Sequence, residues 1–405
     1  MTHLSRGCSI VPKVEAACPF DDLRFLAEVP PKVIMACVKD FEDYAYKYLP
    51  KSALDYYISG SNDEQTVNDN IKAFKRYKIR PRILRDVSNI DTSTTILGYK
   101  ISFPVCIAPT AMHGLAHDER EIGTCKGAFR AGTAYTLSTI ANSSIEEIAE
   151  SNPNALKFYQ LYIFKKDKSV TEELVRRAEE AGYKALFLTV DSPFFGKRIA
   201  DEKNNFKTPA HLKMANFESL KGYSRDGVSK NSGSGSGLGE YSRRLFSSSV
   251  TWQDVIWLKN FTKLPLVLKG ILTAEEARKA VEIGVSAIVV SNHGGRQLDG
   301  VPASIDALRE VVKAVQGSNV EVYLDGGVRL GTDVFKAIAL GAKAVFIGRP
   351  ALFGLAYDGA AGVEKLLNIL KEEFNTSMAL AGCRNVRELQ TEESLVVHES
   401  YYSRL

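Results

Sequence analysis

The chain predicts an α/β fold: a (β/α)8 TIM barrel with an N-terminal helical segment and a long insertion after the fourth strand. Three observations predict it. Eight short apolar runs recur through the middle of the sequence, each ending in glycine or a polar residue. Segments with apolar residues at helical spacing lie between them. The polar residues collect at the strand ends, where such barrels carry their chemistry. An open doubly wound sheet is the weaker alternative.

Taken in order, residues 1–38 hold Pro12, Pro19, Pro30 and Pro31, show no periodicity and read as an extension without regular structure. Phe41–Tyr57 and Glu64–Tyr77 read as helices that cap either the barrel bottom or one side of the site. The strands are Val105–Pro109, Tyr135–Ser138, Phe158–Tyr162, Ala185–Val190, Leu266–Lys269, Ala287–Ser291, Val322–Asp325 and Ala344–Ile347. Their helices include Glu119–Ala131, Thr171–Ala181, Thr273–Ile283, Ser304–Val315 and Thr332–Leu340. The main domain runs from 39 to 385. Its insertion, 199–249, centres on Asn231-Ser232-Gly233-Ser234-Gly235-Ser236-Gly237 and is either a lid or a disordered loop. Residues 386–405 form a C-terminal tail.

Composition narrows the function. The 405 residues carry a net charge of +4 with dispersed basic side chains, which gives no case for nucleic acid. No apolar run has membrane-spanning length, so no membrane partner is expected. Met1 to Phe20 lacks an apolar core with a cleavage site, so no secretory signal is expected. The six cysteines show neither CxxC nor zinc-ligand spacing; they read as reduced thiols, with no metal site. Ser403-Arg404-Leu405 resembles the peroxisomal Ser-Lys-Leu address, which predicts a peroxisomal import receptor as a partner.

The sixth run ends in Ser291-Asn292-His293-Gly294-Gly295-Arg296. A base and a fixed cation on one short loop suit a substrate whose proton-bearing carbon adjoins a carboxylate. The other strand ends bring Thr110, Ser138, Gln160 with Tyr162, Thr189 with Asp191, Lys269, Asp325 and Arg349 to the same face. Asp325-Gly326-Gly327-Val328-Arg329 and Gly348-Arg349-Pro350 follow strands seven and eight, where glycine amides and arginines hold phosphate in many barrels. His113 and His117 read as solvated loop side chains.

These residues resemble the FMN-dependent 2-hydroxy-acid oxidase family, which includes glycolate oxidase and lactate oxidase. The matching pieces run in family order over about residues 40 to 385: Ile107-Ala108-Pro109-Thr110-Ala111-Met112, Gln160-Leu161-Tyr162, Leu188-Thr189-Val190-Asp191-Ser192-Pro193, Leu268-Lys269-Gly270, Ser291–Asp299, Leu324–Arg329 and Phe346–Pro350. The Gly-Gly after His293, the strand Glu321-Val322-Tyr323-Leu324, Ser377-Met378-Ala379-Leu380 and the Ser-Arg-Leu ending look most like animal peroxisomal hydroxyacid oxidases, especially the long-chain isozyme.

The resemblance implies FMN as cofactor and oxidation of (S)-2-hydroxy acids to 2-oxo acids, with O₂ reduced to hydrogen peroxide. It implies that Pro109, Thr110, Ala111, Ser138, Gln160 and Thr189 line the flavin ring, with Lys269 at its pyrimidine end and Ser291 at the ribityl chain or tail. Asp325, Gly326, Gly327, Arg329, Gly348 and Arg349 hold ribityl and phosphate. His293 is the base and Asp191 orients it. Arg296 and Arg198 clamp the substrate carboxylate, Tyr56 adds a hydroxyl, and Tyr162 lies close to the substrate oxygen. A homotetramer or larger assembly is implied too. At position 140, where short-chain glycolate oxidases usually carry tryptophan, this chain has Ile140, which predicts an open aliphatic pocket and a preference for medium or long acids. The alternative function keeps the oxidation but passes electrons to a quinone or cytochrome.

Overall fold

The computed structural model describes residues 33–164, 168–220, 246–392 and 394–404. One compact unit runs from Ala36 to Leu405. Residues 1–32 of the N-terminal extension, the Gly/Ser run at 231–237 and Leu405 of the tail tripeptide lie outside the described residues.

Eight parallel strands close into a barrel, the last pairing with the first through Val345 and Val105. They are Val105–Ile107, Tyr135–Leu137, Lys157–Leu161, Leu186–Thr189, Leu266–Ile271, Ala287–Val290, Glu321–Asp325 and Ala344–Ile347. Each matches an expected run, most within one or two residues. The expected helices are present as Arg120–Arg130, Lys168–Glu180, Ala274–Ile283, Ser304–Ala314 and Gly331–Ala339. Their buried faces carry side chains such as Leu174, Leu308, Val334 and Phe335. Apart from Glu321 and Gly270, which are partly exposed, the strand residues are buried, as a sheet covered by helices requires.

Other elements differ from the expectation. Phe41–Tyr57 is two helices, Val38–Tyr48 and Lys51–Ile58. Pro50 separates them: it has no N–H to donate and holds Leu49 in an extended conformation (φ −71°, ψ 142°). The second expected helix, Glu64–Tyr77, is Gln65–Lys72 followed by a 3₁₀ turn, and Tyr77 already starts a strand. That strand, Tyr77–Ile79, pairs antiparallel with Val396–His398. The expected tail is therefore built into the fold, and its first residues, Val386–Thr391, are helical.

Further elements, two of them prominent, were not among those expected from the sequence. A hairpin, Thr94–Ile96 with Tyr99–Ile101, packs Ile96 and Ile101 into the core cluster with Cys106, Phe158 and Val267. A long helix, Arg349–Leu380, breaks at Asp358 and Gly359. Of the insertion, Ile199–Lys203 is helical, and Phe206, Leu212, Phe217 and Phe246 are buried, so its described flanks are packed rather than loose.

Candidate active site

The strand ends open into one cavity. It is lined by Tyr56, Pro109, Thr110, Ala111, Ser138, Gln160, Tyr162, Thr189, Arg198, Lys269, His293, Arg296, Asp325, Gly326, Gly327, Arg329, Gly348 and Arg349. Eighteen of the twenty residues expected at the site thus share this wall. Asp191 and Ser291 stand behind it. Asp191 Oδ1 lies 2.8 Å from His293 Nδ1. Ser291 Oγ accepts from Lys269 Nζ at 3.0 Å and from the His293 amide at 3.0 Å. Both bonds are accepted by the Ser291 oxygen, which leaves its own O–H hydrogen to donate, so the expected contact with a ribityl chain or tail is compatible with them.

The loop geometry is costly. His293 sits in the left-handed region at φ 59°, which is uncommon for a non-glycine residue although histidine enters it more readily than most. Its neighbours fix it there. Asn292 exchanges two 2.8 Å side-chain bonds with Asn70 and accepts the Gly295 amide at 3.2 Å. Such strain persists where surrounding contacts impose it, and it concentrates at functional sites. One strand earlier a bulge between Lys269 and Ile271 shifts the register with the sixth strand. Gly270 there has φ 115°, and a Cβ on it would stand 2.6 Å from Asp191 Cβ. The bulge therefore lets Asp191 approach beneath His293.

Charge in the cavity is divided. Lys269 is buried and pairs with Asp325 Oδ2 at 3.4 Å. Burial opposes its charge, but Asp325 and Asp191 outweigh that and hold its pKa above the ordinary value. Burial pushes the Asp191 carboxyl up, while His293, Lys269 and hydrogen bonds from His293 and Ser192 pull it down to about 2. His293 is held below its usual value, by burial first and with Lys269 and Arg198 adding to it, against the pull of Asp191. Its imidazole is neutral at neutral pH and ready to accept a proton.

The arginines form a second group. Burial, with Arg198 adding to it, lowers Arg296 to about 10. Burial, Arg296, Arg329 and Arg198 lower Arg349 to about 9. Crowded guanidiniums in one buried space are stabilised by an anion. Arg296 Nη1 donates to the carbonyls of Tyr56, Tyr57 and Ser59 at 2.8, 3.2 and 2.8 Å. Arg349 donates to Tyr57, Gly294 and Ser59 carbonyls at 2.9, 2.9 and 3.1 Å. Two cations thus satisfy the carbonyl end of Lys51–Ile58, where a helix favours positive charge. The same bonds place that helix against the site, so of the two expected positions it takes the side of the site.

Tyr56 stacks on Phe206 at 4.7 Å, and Tyr162 stacks on Phe246 at 4.2 Å. The neighbouring Tyr57 hydroxyl is spent on the Met112 carbonyl at 2.6 Å. Ile140 lines the cavity, with Phe195 nearby in its wall. Arg198 is buried, 3.8 Å from Asp201. His113 corrects the expectation of a solvated loop residue. It is fully buried, 2.6 Å from Thr110 Oγ1 and 2.8 Å from Thr124 Oγ1, while His117 is half-buried. Gln297, Ser192 and Phe195 were missed. Gln297 Nε2 donates to the carbonyls of Asp191 and Phe194 at 3.0 and 2.7 Å. Bonds of this kind join two loops distant in sequence, and no spacing rule reveals them.

Residues 45–396 match the FMN-dependent dehydrogenase family. The chain belongs to that family. It is 53% identical to human 2-hydroxyacid oxidase 1 over 354 residues, which is 87% of this chain and 94% of the relative. It is 52% identical to glycolate oxidase of Spinacia oleracea over 352 residues, 87% of this chain and 93% of the relative. A crystal structure of mandelate oxidase with (S)-4-hydroxymandelic acid superposes with a TM-score of 0.83 at 40% identity, covering 88% of this chain and 98% of that one.

The cavity fits the family's FMN. Asp325 Oδ1 and Arg329 Nε are buried there with no partner among the described residues, as groups awaiting a polar ligand are. Gly327 has φ 88°, and a Cβ on it would fall 2.0 Å from the Asn70 carbonyl oxygen, so only glycine leaves this turn its shape beside Arg329. No group of three or more His, Cys, Asp or Glu among the described residues is arranged to hold a metal. No helix among them is long and apolar enough to cross a membrane.

Proposed function

We propose that this enzyme oxidises 2-hydroxy acids to 2-oxo acids, with O₂ as the final electron acceptor and hydrogen peroxide as the second product. The observation that carries the reading is His293, held by Asp191 at 2.8 Å, on one cavity wall with Arg296 and Arg198. The similarity to 2-hydroxyacid oxidase 1 and glycolate oxidase supports the same reaction.

Bound FMN supplies the acceptor for the two electrons that leave the substrate's α-carbon. Pro109, Thr110, Ala111, Ser138, Gln160 and Thr189 would line its ring, and Asp325, Gly326, Gly327, Arg329, Gly348 and Arg349 its ribityl and phosphate. Lys269 would present a fixed positive charge to its pyrimidine end. Arg296 and Arg198 hold the substrate carboxylate, Tyr56 adds a hydroxyl, and Tyr162 lies beside the substrate oxygen. With Nδ1 committed to Asp191, His293 Nε2 is the nitrogen that takes the proton. Asp191 fixes the tautomer and stabilises the imidazolium that forms.

Ile140 bears on the chain length of the substrate. An aliphatic side chain in the cavity wall leaves space that an indole would fill, which supports a preference for medium or long aliphatic acids. Ile140→Trp is expected to remove that preference. Each methylene kept out of the pocket costs about 0.8 kcal/mol, so losing two lowers kcat/KM for a long acid about fifteenfold while glycolate is spared. A chain-length series of kcat/KM on both proteins checks it.

The whole proposal is tested by anaerobic titration of the purified protein with 2-hydroxy acids from glycolate upward, watching flavin absorbance. Bleaching by the longer acids, with stoichiometric peroxide when air returns, is expected. Bleaching without peroxide would move the reading to a dehydrogenase that serves a quinone or cytochrome. A yellow protein that none of the acids bleaches would overturn it. The peroxisomal destination drawn from Ser403-Arg404-Leu405 and the homotetramer belong to this proposal as well.

A further inference from the structure

Asp191 carries two partners on one oxygen and none on the other. Oδ1 lies 2.8 Å from His293 Nδ1 and accepts the Ser192 hydroxyl at 2.8 Å. Ser192 Oγ is also 3.4 Å from His293 Nδ1, so the three groups close a triangle. Oδ2 is buried without a hydrogen-bond partner and faces Gly270, where a Cβ would stand 2.9 Å away. Ser192 is itself buried, and it is not among the residues lining the cavity. Whatever its hydroxyl does to the chemistry, it does through its neighbours.

We propose that Ser192 is a positioning residue that shares Asp191 Oδ1 with the imidazole and thereby sets how strongly the carboxylate supports His293. This rests on the reading of His293 as the base. A carboxylate oxygen that accepts a second hydrogen bond has less charge left for the first. Ser192 therefore acts in two directions. It helps keep Asp191 ionised in a buried place, and it weakens the pull of Asp191 on the imidazolium. The fixed crossing point of both bonds also limits how far the ring can swing.

The balance at His293 makes this adjustment visible. Lys269, from the fifth strand, and Arg198, from the loop after the fourth, both disfavour a positive imidazole. Arg296 and Tyr162 share the cavity with it. Asp191 is the counter-charge to these cations, so a change in its strength is felt on the ring.

The test uses the FMN-loaded enzyme with Ser192→Ala and Ser192→Thr. One readout is the acid limb of kcat/KM against pH. The other is the ¹⁵N NMR titration of the His293 ring in histidine-labelled protein, assigned by its loss in His293→Asn. Ser192→Ala is expected to move both upward by about half a unit, because the undivided carboxylate favours the imidazolium more. Ser192→Thr, which keeps the hydroxyl, should leave both near the wild-type value. A role confined to folding would lower thermal stability and move neither titration, which would overturn the proposal while the base role of His293 still stood on its own variant. An NMR shift with an unmoved kinetic limb would uphold the coupling and remove His293 as the base.

Discussion

Replacing His293 with asparagine is expected to lower kcat by roughly a thousandfold, within the 10²–10⁴ range typical of a positioned general base. Asparagine is close in shape at the ring's first atoms and can still bond Asp191, so the loop and the bound flavin should survive. Arg296 and Arg198 are untouched, so KM should change little. The pH dependence gives a second check, with the sign fixed by the site. Burial disfavours a charged ring, Lys269 and Arg198 add to that, and Asp191 opposes it; the result lies below the usual imidazole value. The wild-type base therefore stays neutral to lower pH than a free histidine, and kcat/KM falls only as pH drops through that lowered pKa. In His293→Asn this acid limb should vanish with the activity. Stopped-flow flavin reduction across pH measures both. A variant that keeps most of its kcat would remove His293 from the role.

The barrel was legible because its code is local. Runs such as Ala287–Val290 are too apolar for anything but a strand covered on both faces, and their ends switch abruptly to polar residues. The cavity followed from that, since closing the barrel brings every strand end to one rim. Four things were not legible. The break at Pro50 was signalled by the residue itself, but the helical spacing of Phe41–Tyr57 runs across it and hid it. The hairpin over the barrel core depends on Leu97 and Gly98, at φ 48° and 82°, which turn two strands too short to show a period. His113 followed a strand in a polar stretch and read as solvated, yet Thr110 and Thr124 meet both of its nitrogens. Partners at spacings of three and eleven residues form no motif. Ser192 was hidden for the same reason: beside Asp191 it looked like ordinary loop chemistry, and its place in the triangle needs His293, a hundred residues on.

Arg296→Lys is expected to cost roughly a hundredfold or more in kcat/KM, most of it in KM, although the charge is kept. The guanidinium uses one nitrogen, Nη1, on three carbonyls and leaves its other N–H groups for a carboxylate. An ammonium has three hydrogens at one point and no second flat edge. It either holds the carbonyls or turns to the substrate. Truncating one side of a buried, hydrogen-bonded charge pair costs roughly 2–5 kcal/mol, which sets the scale. Collapse of the adjacent helix end is a competing cause, and the geometry limits it. Arg349 still donates to the Tyr57 and Ser59 carbonyls, so only the Tyr56 carbonyl loses its bond from Arg296 without a bond from Arg349 taking over. Thermal stability should therefore fall far less than activity. Arg198→Lys is the internal comparison, because Arg198 is paired only loosely, at 3.8 Å, with Asp201. Its loss should also raise KM, with no effect on the helix end. The decisive measurement is binding of a simple carboxylate that lacks the 2-hydroxyl. If Arg296 holds the carboxylate, Arg296→Lys weakens this inhibitor as much as the substrate. If only the substrate weakens, the arginine acts on the hydroxyl side, and the assignment of the two ends of the substrate must be reversed.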